Sequence, residues 1–328
     1  MTEAVHGLPI RGQASWRRTL RDRPIIPLLI LLALLVLAIQ IAQPGVVGPA
    51  WAGYVLRQAI PLAILAGCQT IVMLTAGIDL SVGAIASMAG FLVATLVAGQ
   101  GLPIAILAAL VAAALAGFVN GIGVGVFRVH PLIMTLGMSL VVLGFANVWQ
   151  LMMVQTGSGV PAELRTIGSG TISGIVPMSL FVFVPVALII LFGLRTTGFG
   201  RLLYAIGDNP IAARLSGARS WKVLTALYII SALLAAIAGF LVTGLTNTAS
   251  VTLADSLVLP SVAAAVIGGT SIFGGRGGYG GTIVGALILT VLAALLTILH
   301  LPEPTRQIVY GALIVLVAAA YTKVTLES

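Results

Sequence analysis

The sequence predicts an all-α integral membrane protein of about ten transmembrane helices, some of them broken or re-entrant, with the N- and C-termini in the cytoplasm. Only 7% of the 328 residues are charged and 59% are hydrophobic, whereas the surface of a water-soluble domain needs far more charge. No ionisable side chain lies between Asp79 and Arg128. That run holds two spans, because about 20 apolar residues cross a bilayer, and a tight turn between them is expected at 100–103.

Three parts are expected along the chain. Residues 1–23 form a polar cytoplasmic arm with no signal-peptide cleavage site after it, residues 24–322 form a single transmembrane domain, and residues 323–328 form a cytoplasmic tail. Two of the spans, 52–75 and 257–273, are the ones most readily bent or re-entrant. The predicted spans are 24–42, 52–75, 81–99, 103–126, 132–154, 177–194, 223–244, 257–273, 281–299 and 307–322.

The positions of Lys and Arg support this topology. Thirteen of the 16 basic residues fall on the cytoplasmic side and three, Arg57, Arg165 and Arg306, on the outer side, as the positive-inside rule requires. Adding or removing one span would place many of these basic residues on the opposite side of the membrane and remove the asymmetry. The net charge of +8 is therefore interpreted as a topology signal rather than as a nucleic-acid-binding surface.

Other compositional features narrow the class of protein. The longest outer connection, 155–176, is rich in Gly, Ser and Thr and shows no sign of a folded domain. With such small outer loops, the chain has little surface for capturing a dilute solute outside. Cys68 is alone and is expected to be a small buried hydrophobe, and the three histidines have no metal-ligand spacing.

The segment 195–222 is an exception in an almost uncharged chain, since it holds five of the 16 basic residues. Asn209 suits a helix N-cap, Pro210 suits the first helical position, and Gly217 suits the left-handed position that ends a helix. A short cytoplasmic helix of about two turns is predicted between them. Two interpretations stay open: a connector whose arginines only fix topology, and a docking element whose helix enters a groove on a partner while its arginines meet acidic groups.

Four segments together resemble the permease subunits of bacterial ATP-binding-cassette importers, most closely the ribose/xylose/galactose type. The segment 75–83, TAGIDLSVG, is similar to that family's GxDLSVG hallmark, and Asn120-Gly121 with 131–137 resembles its fourth-to-fifth-span region. The glycine-rich segment 268–286 resembles its late segment and is expected to turn tightly between two close-packed helices. The cytoplasmic signature matches at Gly207, Asn209, Ala212, Ala213, Ser216 and Gly217.

The resemblance covers about residues 50–320 and implies a transport subunit rather than an enzyme. Such a subunit carries a monosaccharide or related neutral polyhydroxy solute across the bacterial inner membrane by alternating access. It implies several partners: two cytoplasmic ATPase subunits, a second permease copy or paralogue, and a periplasmic sugar-binding protein. Contact with the ATPase is expected at Gly207, Asn209, Pro210, Ala212, Ala213, Arg214, Ser216 and Gly217.

No cofactor is expected on this chain itself. The sequence has no GxxxxGK[ST] phosphate loop, and neither Lys222 nor Lys323 follows such a glycine pattern. ATP and Mg would be used by the partner ATPase, and no nucleic acid is expected as a partner.

Asp79 is the acidic group of greatest interest, because an acid inside a membrane is costly and marks a functional candidate. Its place just before Leu80 also suits an N-cap, and the two roles are compatible where a broken helix meets a substrate path. Polar and aromatic side chains elsewhere in the spans are candidates for the same path, with helix–helix hydrogen bonding or packing as the competing interpretation. The path candidates are Thr75, Asp79, Asn120, Phe145, Asn147, Trp149 and Asn247.

Two other transporter classes stay open. A permease of the branched-chain amino-acid importers would need groups that hold an ammonium and a carboxylate, and the spans are poor in charge. An ion-coupled secondary transporter working alone would need titratable groups near the midplane, where only Asp79 and Asp255 are available.

Overall fold

The computed structural model describes residues 25–153 and 159–302, together with residues 304, 305, 308, 309, 311 and 312. Helices dominate, and one two-stranded antiparallel hairpin accompanies them. The elements in chain order are α1 Ile25–Ala42, α2 Pro49–Met73, α3 Val82–Gln100, α4 Leu102–Gly125, α5 Pro131–Met153, α6 Ala162–Ser169, β1 Thr171–Ile172, β2 Val176–Pro177, α7 Leu180–Thr196, α8 Gly198–Asp208, α9 Pro210–Leu215, α10 Ser220–Thr246, a 3-10 turn Asp255–Leu257, α11 Val258–Ile267 and α12 Tyr279–Ile298.

The membrane-spanning helices confirm the predicted fold class but not the predicted number of spans. Within the described residues, seven helices are long and apolar enough to cross a membrane, and the bent pair α7–α8 makes an eighth if it counts as one span. The predicted span 257–273 is instead the ten-residue helix α11, which is about 15 Å long and reaches only half-way across a bilayer. The predicted span 307–322 lies mostly outside the described residues, which include only 308, 309, 311 and 312 of it.

The bundle is built around α10, which packs on α2, α3 and α4. Most of α2 and α3 is buried, whereas α1, α5 and one face of α4 expose large apolar side chains, as expected of helices that face lipid. Small residues bring the central helices close together. A side chain at Gly121 would collide with the backbone of Thr225, and one at Gly239 with the backbone of Ala86, so glycine permits the backbone contact that holds membrane helices together.

Two irregular connections between consecutive helices lie side by side in the bundle. Helix α2 stops at Met73 and α3 starts at Val82, and we call residues 74–81 the first break. Helix α11 stops at Ile267 and α12 starts at Tyr279, and we call residues 268–278 the second break. The breaks touch, because the N–H of Gly275 donates to the carbonyl of Leu74 at 3.0 Å. The tight turn predicted in the glycine-rich segment is confirmed, since Gly269, Gly274, Gly275 and Gly277 all have positive φ.

Two connections test the sequence predictions further. The turn expected at 100–103 is confirmed, with Gly101 at φ +78° between α3 and α4. The described part of the outer connection, from residue 159, is more ordered than its composition indicated, since it contains α6 and the β1–β2 hairpin. Arg57 holds α6 by donating to the carbonyl of Ser169 at 2.7 Å, and Gly168 lies against the backbone of Gly244 at the end of α10. These contacts order a segment that has no strong local signal.

Candidate functional site

The segment 195–222 contains two short helices, α8 and α9, between the end of α7 and the start of α10. Helix α7 turns by 68° into α8, and the hydroxyl of Thr197 caps α8 by accepting the N–H of Gly200 at 3.1 Å. The side-chain oxygen of Asn209 then caps α9, accepting the N–H groups of Ile211 at 3.1 Å and Ala212 at 3.0 Å. We call α8 and α9 together the coupling segment.

The short helix predicted after Asn209 is confirmed, with six residues instead of about two full turns. Pro210 occupies its first turn, and Gly217 follows its end with φ +88°. Ala213 is buried, whereas Ala212, Arg214, Ser216 and Gly217 are exposed. The exposed side also carries Ile211 and Leu215, whose side chains are 63% and 85% exposed. Helix α9 therefore presents two aliphatic side chains and one arginine on a free surface.

Helix α8 lies directly on both breaks. Gly207 is packed so closely that a side chain there would overlap the carbonyl of Leu74 in the first break and approach the backbone nitrogen of Gly275 in the second. The hydroxyl of Tyr204 donates to the carbonyl of Gly277 at 2.9 Å. Burial raises the pKa of Tyr204, so this phenol keeps its proton and remains a donor. The coupling segment thus touches both breaks at one place.

A buried polar cluster fills the first break. One carboxylate oxygen of Asp79 accepts the N–H of Ser81 at 3.0 Å and its hydroxyl at 2.6 Å, and the other accepts the hydroxyl of Ser231 from α10 at 3.0 Å. The side chain of Asn120 donates to the Ser81 hydroxyl at 2.9 Å. The expectation that Asp79 is the N-cap of α3 is corrected: Ser81 holds that position, and Asp79 fixes it from two residues upstream.

Side chains also satisfy the backbone of the break. The amide of Gln69 donates to the carbonyl of Asp79 at 2.7 Å and accepts its N–H at 3.2 Å. The hydroxyl of Thr135 accepts the N–H of Leu80 at 3.0 Å and donates to the carbonyl of Ile78 at 3.1 Å. Buried backbone outside regular secondary structure requires such internal partners, so the cluster explains how the chain can leave helical geometry inside the bundle.

The family model of the branched-chain amino acid transport system permease component matches residues 51–318. The chain belongs to this permease family. The ribose import permease of Bacillus subtilis is 36% identical over 286 residues, which are 87% of this chain and 88% of the relative. The fructose import permease of Rhizobium meliloti is 34% identical over 272 residues, or 81% and 76%. The autoinducer 2 import system permease of Escherichia coli is 32% identical over 261 residues, or 78% and 74%. No solved structure matches the chain.

In this permease, the predicted path residues fall into separate places. Asp79 and Asn120 meet through Ser81, but their side chains are 1% and 0% exposed, so in this conformation the polar cluster is closed to a solute. Thr75, at the edge of the first break, donates to the carbonyl of Val72 at 2.9 Å.

The other path residues lie on α5 and at the end of α10. Phe145 and Trp149 stack with ring centroids 6.3 Å apart, and Trp149 also donates to the hydroxyl of Thr95 at 3.0 Å. Asn147 is exposed and donates to its own helix at Leu143, while Asn247 ends α10 in the left-handed conformation. Among the described residues, no hydrogen bond joins them to the polar cluster at the first break.

Sequence reasoning missed three residues that organise the permease. Gln69 and Ser231 are polar residues inside apolar helices, a signal that the sequence does contain, but only the fold shows that both meet Asp79. The hydroxyl of Tyr204 reaches the second break 73 residues later, a contact that has no local signal in the sequence. Among the described residues, no group of three His, Cys, Asp or Glu side chains forms a metal site.

Proposed function

We propose that this chain is the transmembrane subunit of an ATP-binding-cassette importer that carries a monosaccharide or related neutral polyhydroxy solute across the bacterial inner membrane. The relatives are named for the import of ribose, fructose and autoinducer 2, which supports the solute class. The observation that carries the mechanism is the contact of Gly207 with both helix breaks.

The proposed mechanism begins at α9, whose exposed aliphatic side chains and Arg214 dock on an ATPase subunit. ATP-driven closure of two such subunits displaces the coupling segment. Because Gly207 has no side chain, its backbone lies directly against Leu74 and Gly275, and the displacement is transmitted to these two residues. The breaks are irregular backbone between rigid helices and act as hinges, so the bundle alternates between outward-open and inward-open states.

The membrane topology follows from the same proposal. The coupling segment and residues 1–23 and 323–328 lie in the cytoplasm, and α6 with the β1–β2 hairpin lies outside. Ten crossings remain the proposed count, with α11 as a half-length helix whose span is completed by irregular backbone. The division of basic residues, thirteen inside and three outside, supports this orientation.

In the proposed importer, the partner subunits bind ATP, complete the passage and deliver the solute. ATP and Mg are bound and used by the ATPase subunits, because the sequence contains no phosphate loop. A second permease copy or paralogue completes the passage, and a periplasmic binding protein delivers the solute, because the outer connections offer little capture surface. We propose no cofactor on this chain.

An amino-acid importer is the second candidate, because the family description names branched-chain amino acids. Such a solute carries an ammonium and a carboxylate, and each needs a charged or strongly polar partner in the membrane. Among the residues that the structure describes, the one fully buried acid is Asp79, and it is already occupied by three hydrogen bonds from neutral donors. The neutral solute therefore suits the bundle better.

Reconstitution tests this function. We expect proteoliposomes that contain the permease with its ATPase and binding protein to take up radiolabelled D-ribose or D-fructose only with ATP, and ionophores to leave uptake unchanged. Uptake of L-leucine in place of both sugars would support the amino-acid importer. Sugar uptake driven by an ion gradient without the ATPase would show a secondary transporter instead.

A further inference from the structure

A cavity of about 380 Å³ opens at the end of the bundle opposite the coupling segment. It lies between the first turns of α2, the 3-10 turn with the start of α11, and the last turns of α12. Along α2, Gln58 is about 22 Å from Met73 at the first break, at 1.5 Å per residue. We call this cavity the outer groove. Its twelve lining residues come from three parts of the chain, 54–62, 256–260 and 289–297.

We propose that the outer groove is a binding site for the transported solute, and that it selects a neutral polyhydroxylated ring. The proposal rests on the function proposed above and names the solute class from the groove itself. It also gives a solute-contacting role to residues outside the predicted path set.

The polar atoms of the groove match sugar hydroxyls, which both donate and accept. The amide of Gln58 donates to the hydroxyl of Tyr54 at 3.2 Å, which leaves the Gln58 carbonyl as an acceptor and the Tyr54 hydroxyl hydrogen as a donor. Thr290 and Thr297 donate to carbonyls of their own helix at 2.9 and 2.7 Å. Each of these two hydroxyls therefore presents lone pairs to the groove.

The spacing of these residues places them on facing sides of the groove. Tyr54, Gln58 and Leu62 are four residues apart along α2, and Thr290 and Thr297 are two turns apart along α12, so each set shares one helix face. Leu62 and Leu289 supply an apolar floor. A cavity of a few hundred cubic ångströms with an apolar lining and a few oriented polar groups is the usual form of a small-molecule site.

The lack of formal charge in the groove favours a sugar over an amino acid as the bound solute. None of its twelve lining residues carries a formal charge. An amino-acid zwitterion would leave two charges without partners there, at a cost of several kcal/mol each, whereas a sugar leaves only hydroxyls, which the groove can satisfy. A lipid acyl chain would use the leucines but gain nothing from Gln58, Thr290 and Thr297.

Transport by groove variants provides the first test. In the reconstituted complex at a sub-saturating sugar concentration, we expect Thr290→Val and Gln58→Leu each to lower the rate of ATP-driven D-ribose or D-fructose uptake about fivefold, the effect of losing one hydrogen bond of about 1 kcal/mol. The matched control is Thr225→Val, which removes a hydroxyl bonded in the same way to its own helix, at Trp221, outside the groove. Wild-type uptake rates in both groove variants would overturn the proposal.

Thiol protection provides a second test that does not depend on transport rate. In a Cys68→Ala background, Gln58→Cys in the assembled complex should react with a hydrophilic maleimide, and the transported sugar should slow that reaction while L-leucine does not. Reaction only with a lipid-soluble maleimide would show that the groove faces acyl chains, and no reaction with either would show that protein covers it. Either result contradicts the proposal, while sugar uptake by the wild type keeps the transport function intact.

Discussion

At the scale of single residues, Asp79 is a buried acid that the structure uses to tie three helices together. Its carboxylate joins Ser81 at the start of α3 to Ser231 on α10, and Gln69 on α2 holds its backbone. The sequence predicted that this acid matters at a helix start, because an aspartate next to a helix-initiating segment is a local signal. It did not predict Ser231 as a partner, since the two are 152 positions apart.

Substitutions at Asp79 separate a structural role from a role in the solute path. We expect Asp79→Ala to lower the thermal midpoint of the purified permease in detergent, because it leaves buried hydroxyls without acceptors at about 1–3 kcal/mol. Asp79→Asn keeps one carbonyl oxygen for Ser81 and places an amide beside Ser231, so its midpoint should stay close to wild type. If Asp79→Asn abolished sugar uptake at an unchanged midpoint, the charge itself would act on the solute.

At the scale of elements, the sequence predicted a helix and its ends best where the residues that define them lie close together in the chain. Helix α9 was predictable because its cap, its proline and its terminal glycine lie within nine residues. Helix α11 was predicted as part of the span 257–273, which the sequence marked as readily bent or re-entrant. The glycine-rich segment that begins at Gly268 is the local signal for the helix end at Ile267. That end also depends on tertiary packing, where Gly268 lies against the backbone of Gly281 and Thr282.

The cap of α9 gives a prediction at this scale. Asn209→Ala removes the acceptor for two N–H groups and should cost about 1 kcal/mol of helix stability, so α9 frays and co-purification of the ATPase with the permease weakens. Asn209→Ser retains a capping oxygen and should restore co-purification. Gly217→Val, which places a β-branched residue at φ +88°, should resemble Asn209→Ala. Equal ATPase recovery from wild type, Asn209→Ala and Gly217→Val would contradict docking at this helix.

At the scale of the whole molecule, the two ends of the bundle have different tasks. The coupling segment lies on the meeting point of the two breaks, and the outer groove lies at the other end of the same helices, α2 and α12. The charge pattern and the motifs predicted the membrane class and the coupling segment. They did not predict the groove, because Gln58, Ser256 and Thr290 are ordinary polar residues in sequence and converge only in the fold.

The central claim is that displacement of the coupling segment reaches the breaks through Gly207. The measurement that tests it most directly is the number of sugar molecules imported per ATP hydrolysed, in proteoliposomes that hold the complete importer. For Gly207→Ala, whose new methyl group would overlap the Leu74 carbonyl, we predict a ratio about tenfold below wild type with ATPase binding retained, a loss within the usual range of coupling free energies.

The matched control is Gly198→Ala on the same helix, where an added methyl group would have only the side chain of Arg201, 3.8 Å away, as a neighbour. This variant should import the wild-type number of sugars per ATP. A wild-type ratio in Gly207→Ala, or an equal loss in both variants, would contradict the account.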